Sequence, residues 1–161
     1  GKPWECCMTM NDSWGYNPGD RNWKTARQIV GNMLTAIHNG GNFLLNVGPG
    51  PDGSFEPEAE ALLEQVGHWV GRNRAILKAL MPHPFDYADQ KLSAGDGNTA
   101  YVPLHHYHGP NTTIAGIGNQ VQSIRLLADG RDIAFEQEGC RVFITGLPET
   151  PPDPLYTVLT L

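Results

Sequence analysis

Apolar positions follow two different periods in the two halves of the chain. Trp23, Ala26, Val30, Met33, Leu34 and Ile37 recur at three- and four-residue spacing, which places them on one helical face. Gly40-Gly41 ends that helix, because glycine enters the left-handed cap conformation cheaply. Phe43-Leu44-Leu45-Asn46-Val47 follows as a short, continuous apolar run closed by Gly48-Pro49. A strand apolar on both faces suits a parallel sheet covered by helices. Pro57 opens a second helix at a position where its missing N–H costs nothing, and Leu62, Leu63, Val66, Trp69 and Val70 give that helix a core face. With a first strand over Trp4 to Met10, the order is βαβα.

Beyond about Leu80 the period changes. Met81-Pro82-His83-Pro84 breaks the helix, and the polar stretch Asp89 to Thr99 reads as a linker or hairpin end. Short runs then alternate with turn signals: Ala100 to His106, Thr112 to Ile117, Gln120 to Ala128, Ile133 to Gln137, Arg141 to Thr145 and Thr157 to Leu161. Asp129-Gly130 is a strong hairpin turn and Glu138-Gly139 a second. Pro103 should force an edge or a bulge. Strands at this spacing predict an antiparallel β-sandwich.

The fold class expected is therefore α/β plus all-β: the last βα units of an incomplete (β/α)8-type barrel over residues 1–80, then a small antiparallel β-sandwich over residues 81–161. Two βα units cannot close a barrel, which needs about 250 residues. They would expose unpaired strand edges, a liability that natural proteins cover. A compact α+β domain that uses the second half as its cover is the alternative.

Composition narrows the partners. The chain is 40% hydrophobic and 17% charged, with a net charge of -6, which argues against a nucleic-acid partner. No apolar run approaches the roughly 20 residues that cross a bilayer, so no membrane partner is expected. The three cysteines form no disulfide framework, Cys6 and Cys7 being adjacent and Cys140 distant, and read as buried thiols. No signal-peptide pattern is expected in the chain, which begins at Gly1 rather than Met as a processed, engineered or incomplete chain would. It leaves the compartment open.

Three segments could carry chemistry. Glu5, within the apolar Trp4-Glu5-Cys6-Cys7, would have its charged form disfavoured there, raising its pKa toward that of a general acid. A strand-edge glutamate paired to a surface lysine explains it as well. Asn11-Asp12-Ser13-Trp14-Gly15-Tyr16-Asn17 interleaves aromatics with hydrogen-bonding groups, which suits sugars with apolar C–H faces and polar edges. An Asx-turn loop packed by its own Trp explains it equally. Asp12 is a poor second carboxylate for Glu5, seven positions on and across an irregular loop. His105, His106 and His108 lack the spaced fourth ligand of a structural zinc site, so no metal and no cofactor is expected.

The block Trp4-Glu5-Cys6-Cys7-Met8-Thr9-Met10-Asn11-Asp12-Ser13-Trp14-Gly15-Tyr16 resembles a signature of glycoside hydrolase family 29, the α-L-fucosidases. So does Gly40-Gly41-Asn42-Phe43-Leu44-Leu45-Asn46-Val47-Gly48-Pro49 with Asp52-Gly53, at the family's spacing. Leu126 to Gly130 through Pro151 to Leu155 resembles the family's carboxy-terminal sandwich. Where the family often reads Asn-Gly-Glu-Ala-Ile-Tyr, this chain has Asn73-Arg74-Ala75-Ile76-Leu77. The resemblance implies a TIM-barrel glycosidase that retains configuration and releases terminal L-fucose from oligosaccharides or glycoconjugates. It maps the catalytic acid/base onto Glu5 and suggests Trp4 and Trp14 as substrate-binding residues. It also implies that the Asp nucleophile lies on an earlier barrel strand. This chain would then be a fragment or subunit, inactive until a second chain or oligomer completes the barrel. Family members are often secreted, periplasmic or lysosomal. The alternative is a non-catalytic carbohydrate-binding or interaction module derived from a fucosidase.

Overall fold

The computed structural model describes residues 2–79, 81–82 and 94–161. Two compact units divide at Gly71 and Arg72.

The first unit is built on a parallel pair, β1 (Glu5–Thr9) and β2 (Asn42–Asn46), joined through α1 (Ala26–His38). Its second helix is α2 (Pro57–Arg72). Thr25 starts α1 with a capping box: its hydroxyl accepts the Gln28 N–H at 3.1 Å, and the Gln28 side chain accepts the Thr25 N–H at 2.8 Å. Ile29, Val30, Met33 and Leu34 are buried on one face of this helix, which lies against β2. On α2, Ala59, Val66 and Trp69 are the buried positions, while Leu62, Leu63 and Val70 are half-buried.

The two glycines after α1 do different jobs. Gly40 takes the left-handed conformation, at φ 75°, and stops the helix. Gly41 does not; a Cβ there would collide with the indole of Trp4. The second glycine therefore serves close packing rather than the cap.

The second unit begins with α3 (Arg74–Lys78) and holds two antiparallel sheets. One runs in the order β3 (Met81–Pro82), β4 (Ala94–Asp96), β5 (Thr99–Pro103), β10 (Val158–Thr160), β7 (Arg125–Leu126). The other has the order β6 (Thr112–Ala115), β9 (Arg141–Ile144), β8 (Phe135–Glu138). Val102, Leu126 and Leu159 from the first sheet and Ile114, Val142 and Ile144 from the second join one buried cluster. Arg72 reaches the buried Asp153 at 2.6 Å, an ion pair that joins residues 81 apart in sequence.

Several expected strands shorten or shift. Within Gln120 to Ala128 the strand is Arg125–Leu126, and Asp129-Gly130 turns it with Gly130 at φ 72°. Glu138 pairs with Arg141 across a two-residue turn in which Gly139 has φ 56°. Pro103 neither bulges its strand nor sits at a sheet edge. It ends β5, a strand flanked by β4 and β10, opposite Val158, and the Leu104 N–H carries the pairing on to the Thr157 carbonyl at 2.8 Å. His83 and Pro84 of the helix-breaking run and residues 89–93 of the polar stretch lie outside the described residues.

Candidate functional site

Strand pleat decides which side chains in the first unit share a face. Glu5, Cys7 and Thr9 stand opposite Asn42, Leu44 and Asn46, so these six share one face of the β1–β2 pair. Cys6, Met8, Phe43 and Leu45 occupy the other and are half-buried. Glu5, Cys7, Asn42 and Leu44 are exposed. The expectation that apolar neighbours enclose Glu5 therefore fails: a side chain at the start of a strand whose next residues alternate faces gains little cover from its sequence neighbours. Cys7 and Cys140 are exposed too, so the buried-thiol reading is overturned for both. The Cys7 thiol donates to the Glu5 carboxylate at 3.5 Å. Desolvation, then this bond and the charge of Glu5, hold that thiol above its ordinary range.

At the carboxyl ends of the strands, polar groups converge. Thr9 Oγ1 donates to the Ser13 carbonyl at 3.1 Å, while Asn46 Nδ2 donates to Thr9 Oγ1 at 3.0 Å and to the Trp14 carbonyl at 2.7 Å. The loop between β1 and α1 is thereby tied to the end of β2. A Cβ on Gly48 would lie 2.9 Å from backbone atoms of Gly15 and Tyr16, so the two loops approach as closely as glycine alone permits. Arg21 adds an ion pair to Glu56 at 2.7 Å.

Asp20 organises the first loop. Its buried carboxylate accepts the backbone N–H groups of Asp12 at 3.0 Å, Ser13 at 2.8 Å and Asn22 at 3.1 Å. Burial pushes its pKa up, but those donors outweigh burial and hold the carboxyl below its usual value. A folded-state pKa below the unfolded one means that the stabilisation is present above about pH 4 and is lost as pH falls further. The protection of the Asp12, Ser13 and Asn22 amides, measured as exchange relative to the intrinsic rate at each pH, should therefore fall in acid. In Asp20→Asn it should already be lower at neutral pH and change less on acidification; equal protection in the variant would contradict the clamp.

The residues singled out in the sequence separate in space. Trp4 precedes β1, and its indole N–H donates to the Asn39 carbonyl at 3.3 Å. Trp14 follows β1, and the strand carries Thr9 roughly 13 Å beyond Glu5 at about 3.3 Å per residue. Glu5 and Trp4 thus stand at the amino ends of the strands, with Asn11 and Trp14 at the carboxyl ends. Asp12 accepts from the Asn22 amide at 2.8 Å. In the second unit, exposed His106 and His108 stack at 5.9 Å while His105 meets the Tyr156 ring edge-on at 6.0 Å. Among the described residues no three metal-ligating side chains cluster. Sequence reasoning missed Asp20 and Asn46; Pro18-Gly19-Asp20 signalled a turn, but not whose amides its carboxylate would collect.

Residues 1–75 match the alpha-L-fucosidase family model, a stretch that includes β1, α1, β2 and α2. The tissue alpha-L-fucosidase of Bos taurus is 29% identical over 96% of this chain and 34% of its own length. Alpha-L-fucosidase isoenzyme 1 from Paenibacillus thiaminolyticus superposes with a TM-score of 0.88 at 28% identity, over 99% of this chain and 39% of the solved one. The chain is a relative of the alpha-L-fucosidases. A third fucosidase, the family 29 enzyme of Bacteroides thetaiotaomicron, matches with a TM-score of 0.81 at 26% identity over 99% of this chain and 38% of its own. It was trapped as a covalent intermediate with 2-fluoro-fucosyl fluoride in a glutamate-to-glutamine variant. The chain thus spans about a third of the curated fucosidase's length and about two-fifths of the solved ones.

Proposed function

We propose that the chain is the carboxy-terminal part of a retaining α-L-fucosidase that releases terminal L-fucose from fucosylated oligosaccharides or glycoconjugates. Residues 1–80 are assigned to the last βα units of its barrel and residues 81–161 to a β-sandwich. The parallel β1–β2 pair supports the first assignment, and the cluster shared by two antiparallel sheets supports the second. By contact, α3 groups with the second unit although it lies on the barrel side of this division. The observation that carries the reading is the Paenibacillus fucosidase fold, matched along nearly the whole chain.

Retention requires two carboxyls about 5–5.5 Å apart, one to protonate the leaving oxygen and one to attack the anomeric carbon. Glu5 is assigned as the proton donor on the family pattern, with Trp4 and Trp14 as sugar-contacting side chains. The nucleophile is assigned to a strand outside these residues, because Asp12 sits past the far end of β1 and is engaged by Asn22. One observation favours a second reading of Glu5. In (β/α)8 enzymes the chemistry lies at the carboxyl ends of the strands, whereas Glu5 begins β1 and is exposed. On that reading Glu5 is a positioning residue.

The test uses an aryl α-L-fucoside with two proteins: the 161-residue chain, and a chimera that places it after the amino-terminal part of the Paenibacillus enzyme. The chimera should turn over the fucoside and the chain alone should not. A folded, inactive chimera would overturn the fucosidase reading. Turnover by the chain alone would overturn the missing-nucleophile assignment.

A further inference from the structure

Two polar side chains at the carboxyl ends of the strands act on an aromatic that reaches beyond them. Thr9 and Asn46 are the last register pair of β1 and β2, and both are half-buried. Trp14 has the largest exposed fraction among the large apolar side chains described, at 54%. An indole on an irregular loop offers a sugar its flat face at one tilt only when the loop is already ordered. Otherwise the ligand must order the loop as it binds, at a cost to affinity.

Successive backbone groups of this loop are fastened from the strand ends. The Asn46 amide uses both of its N–H donors, one on Thr9 Oγ1 at 3.0 Å and one on the Trp14 carbonyl at 2.7 Å. Thr9 Oγ1 in turn donates to the Ser13 carbonyl at 3.1 Å. Ser13 is gripped from its other side too, its N–H donating to the Asp20 carboxylate at 2.8 Å. Beyond the indole, Gly15 and Tyr16 lie against Gly48, where a Cβ would come within 2.9 Å of their backbone. The backbone is therefore held before, at and after Trp14, and the exposed indole is left only its staggered rotamers.

We propose that Asn46 and Thr9 are positioning residues for sugar binding: through the carbonyls of Trp14 and Ser13 they set the tilt of the Trp14 indole toward the fucoside. Neither side chain needs to touch the substrate. The junction lies at the carboxyl ends of the strands, the end at which (β/α)8 enzymes hold their substrates. The inference deepens the fucosidase reading and rests on it for the ligand and for Trp14 as its contact.

Two measurements separate the clamp from its use. In the 161-residue chain, backbone amide NMR relaxation should show Ser13 to Gly15 as rigid as the strands. That rigidity should be lost in Asn46→Leu and Thr9→Val and kept in Thr9→Ser, which retains the hydroxyl. Unchanged rigidity in a folded Asn46→Leu or Thr9→Val chain would overturn the clamp, whether or not the chimera is active. In the chimera, Asn46→Leu and Thr9→Val should raise KM for the aryl fucoside about fivefold to tenfold with kcat little changed, as the loss of a ground-state contact does. Thr9→Ser should restore KM. Adding Asn46→Leu to Trp14→Ala should cost nothing beyond Trp14→Ala alone, because Asn46 acts through Trp14. An unmoved KM, a loss confined to kcat, or full additivity of the two substitutions would overturn the positioning role. An inactive unaltered chimera sinks the fucosidase reading, whereas an active one with KM unmoved by Asn46→Leu sinks this proposal alone.

Discussion

Glu5→Gln in the active chimera is expected to lower kcat/KM about 10²- to 10⁴-fold on fucosides with poor leaving groups, the usual worth of a positioned general acid. Aryl fucosides with good leaving groups should suffer far less in the first step, because a stable phenolate departs without a proton. Added azide should restore turnover of such substrates and yield a fucosyl azide, since a small anion then attacks without needing a general base. The pattern across leaving groups carries the argument, beyond the size of the loss. A uniform loss across leaving groups, with no azide rescue, would remove Glu5 from proton transfer and leave it as a positioning residue. The exposed position at the start of β1 makes that outcome physically coherent, as Glu5 stands among groups such as Trp4 and Cys7 at the amino ends of the strands.

Leu159→Ala is expected to destabilise the second unit by about 2–5 kcal/mol, the range for emptying a large-to-small core site. Leu159 is fully buried on β10, in register with Val102 on one side and Leu126 on the other. Truncation opens a void in the strand that links β5 to β7. The urea midpoint should fall while the slope stays constant, because the surface exposed on unfolding barely changes. Leu44→Ala supplies the contrast: Leu44 is 40% exposed, so its truncation should cost under about 0.5 kcal/mol. A loss under about 1 kcal/mol for Leu159→Ala would mean that the two sheets do not share one close-packed core.

The helices were the most legible elements. Their apolar period is local, and Gly40 and Pro57 are stop and start signals written within a few residues of the ends they mark. Strands were placed to within a few residues, but partners were not, because a two-residue period names a face and says nothing about what lies across it. β10 shows this: its position near the chain's end gave no hint that it would run between β5 and β7.

The candidate site divides in the same way. The motif around Glu5 and Trp14 was visible as residue types, and the family resemblance that it carries is matched by the relatives found. That Trp4 and Trp14 lie at opposite ends of one strand follows from five residues of extended backbone between them. Asp20 was invisible as a clamp, because a carboxylate's role depends on which amides a folded loop turns toward it.

By itself the sequence determined the βαβα order, the change to short antiparallel strands and the fucosidase kinship, which rest on local period or on residue identity in register; it did not place the break between α2 and α3 or exclude Trp23 from α1. Only the tertiary structure decided that Glu5 is exposed, that Gly48 admits the Tyr16 loop, and that Arg72 finds Asp153. The physical reason is that burial, close approach and ion pairing depend on groups distant in sequence, and no local pattern encodes which of those groups will meet.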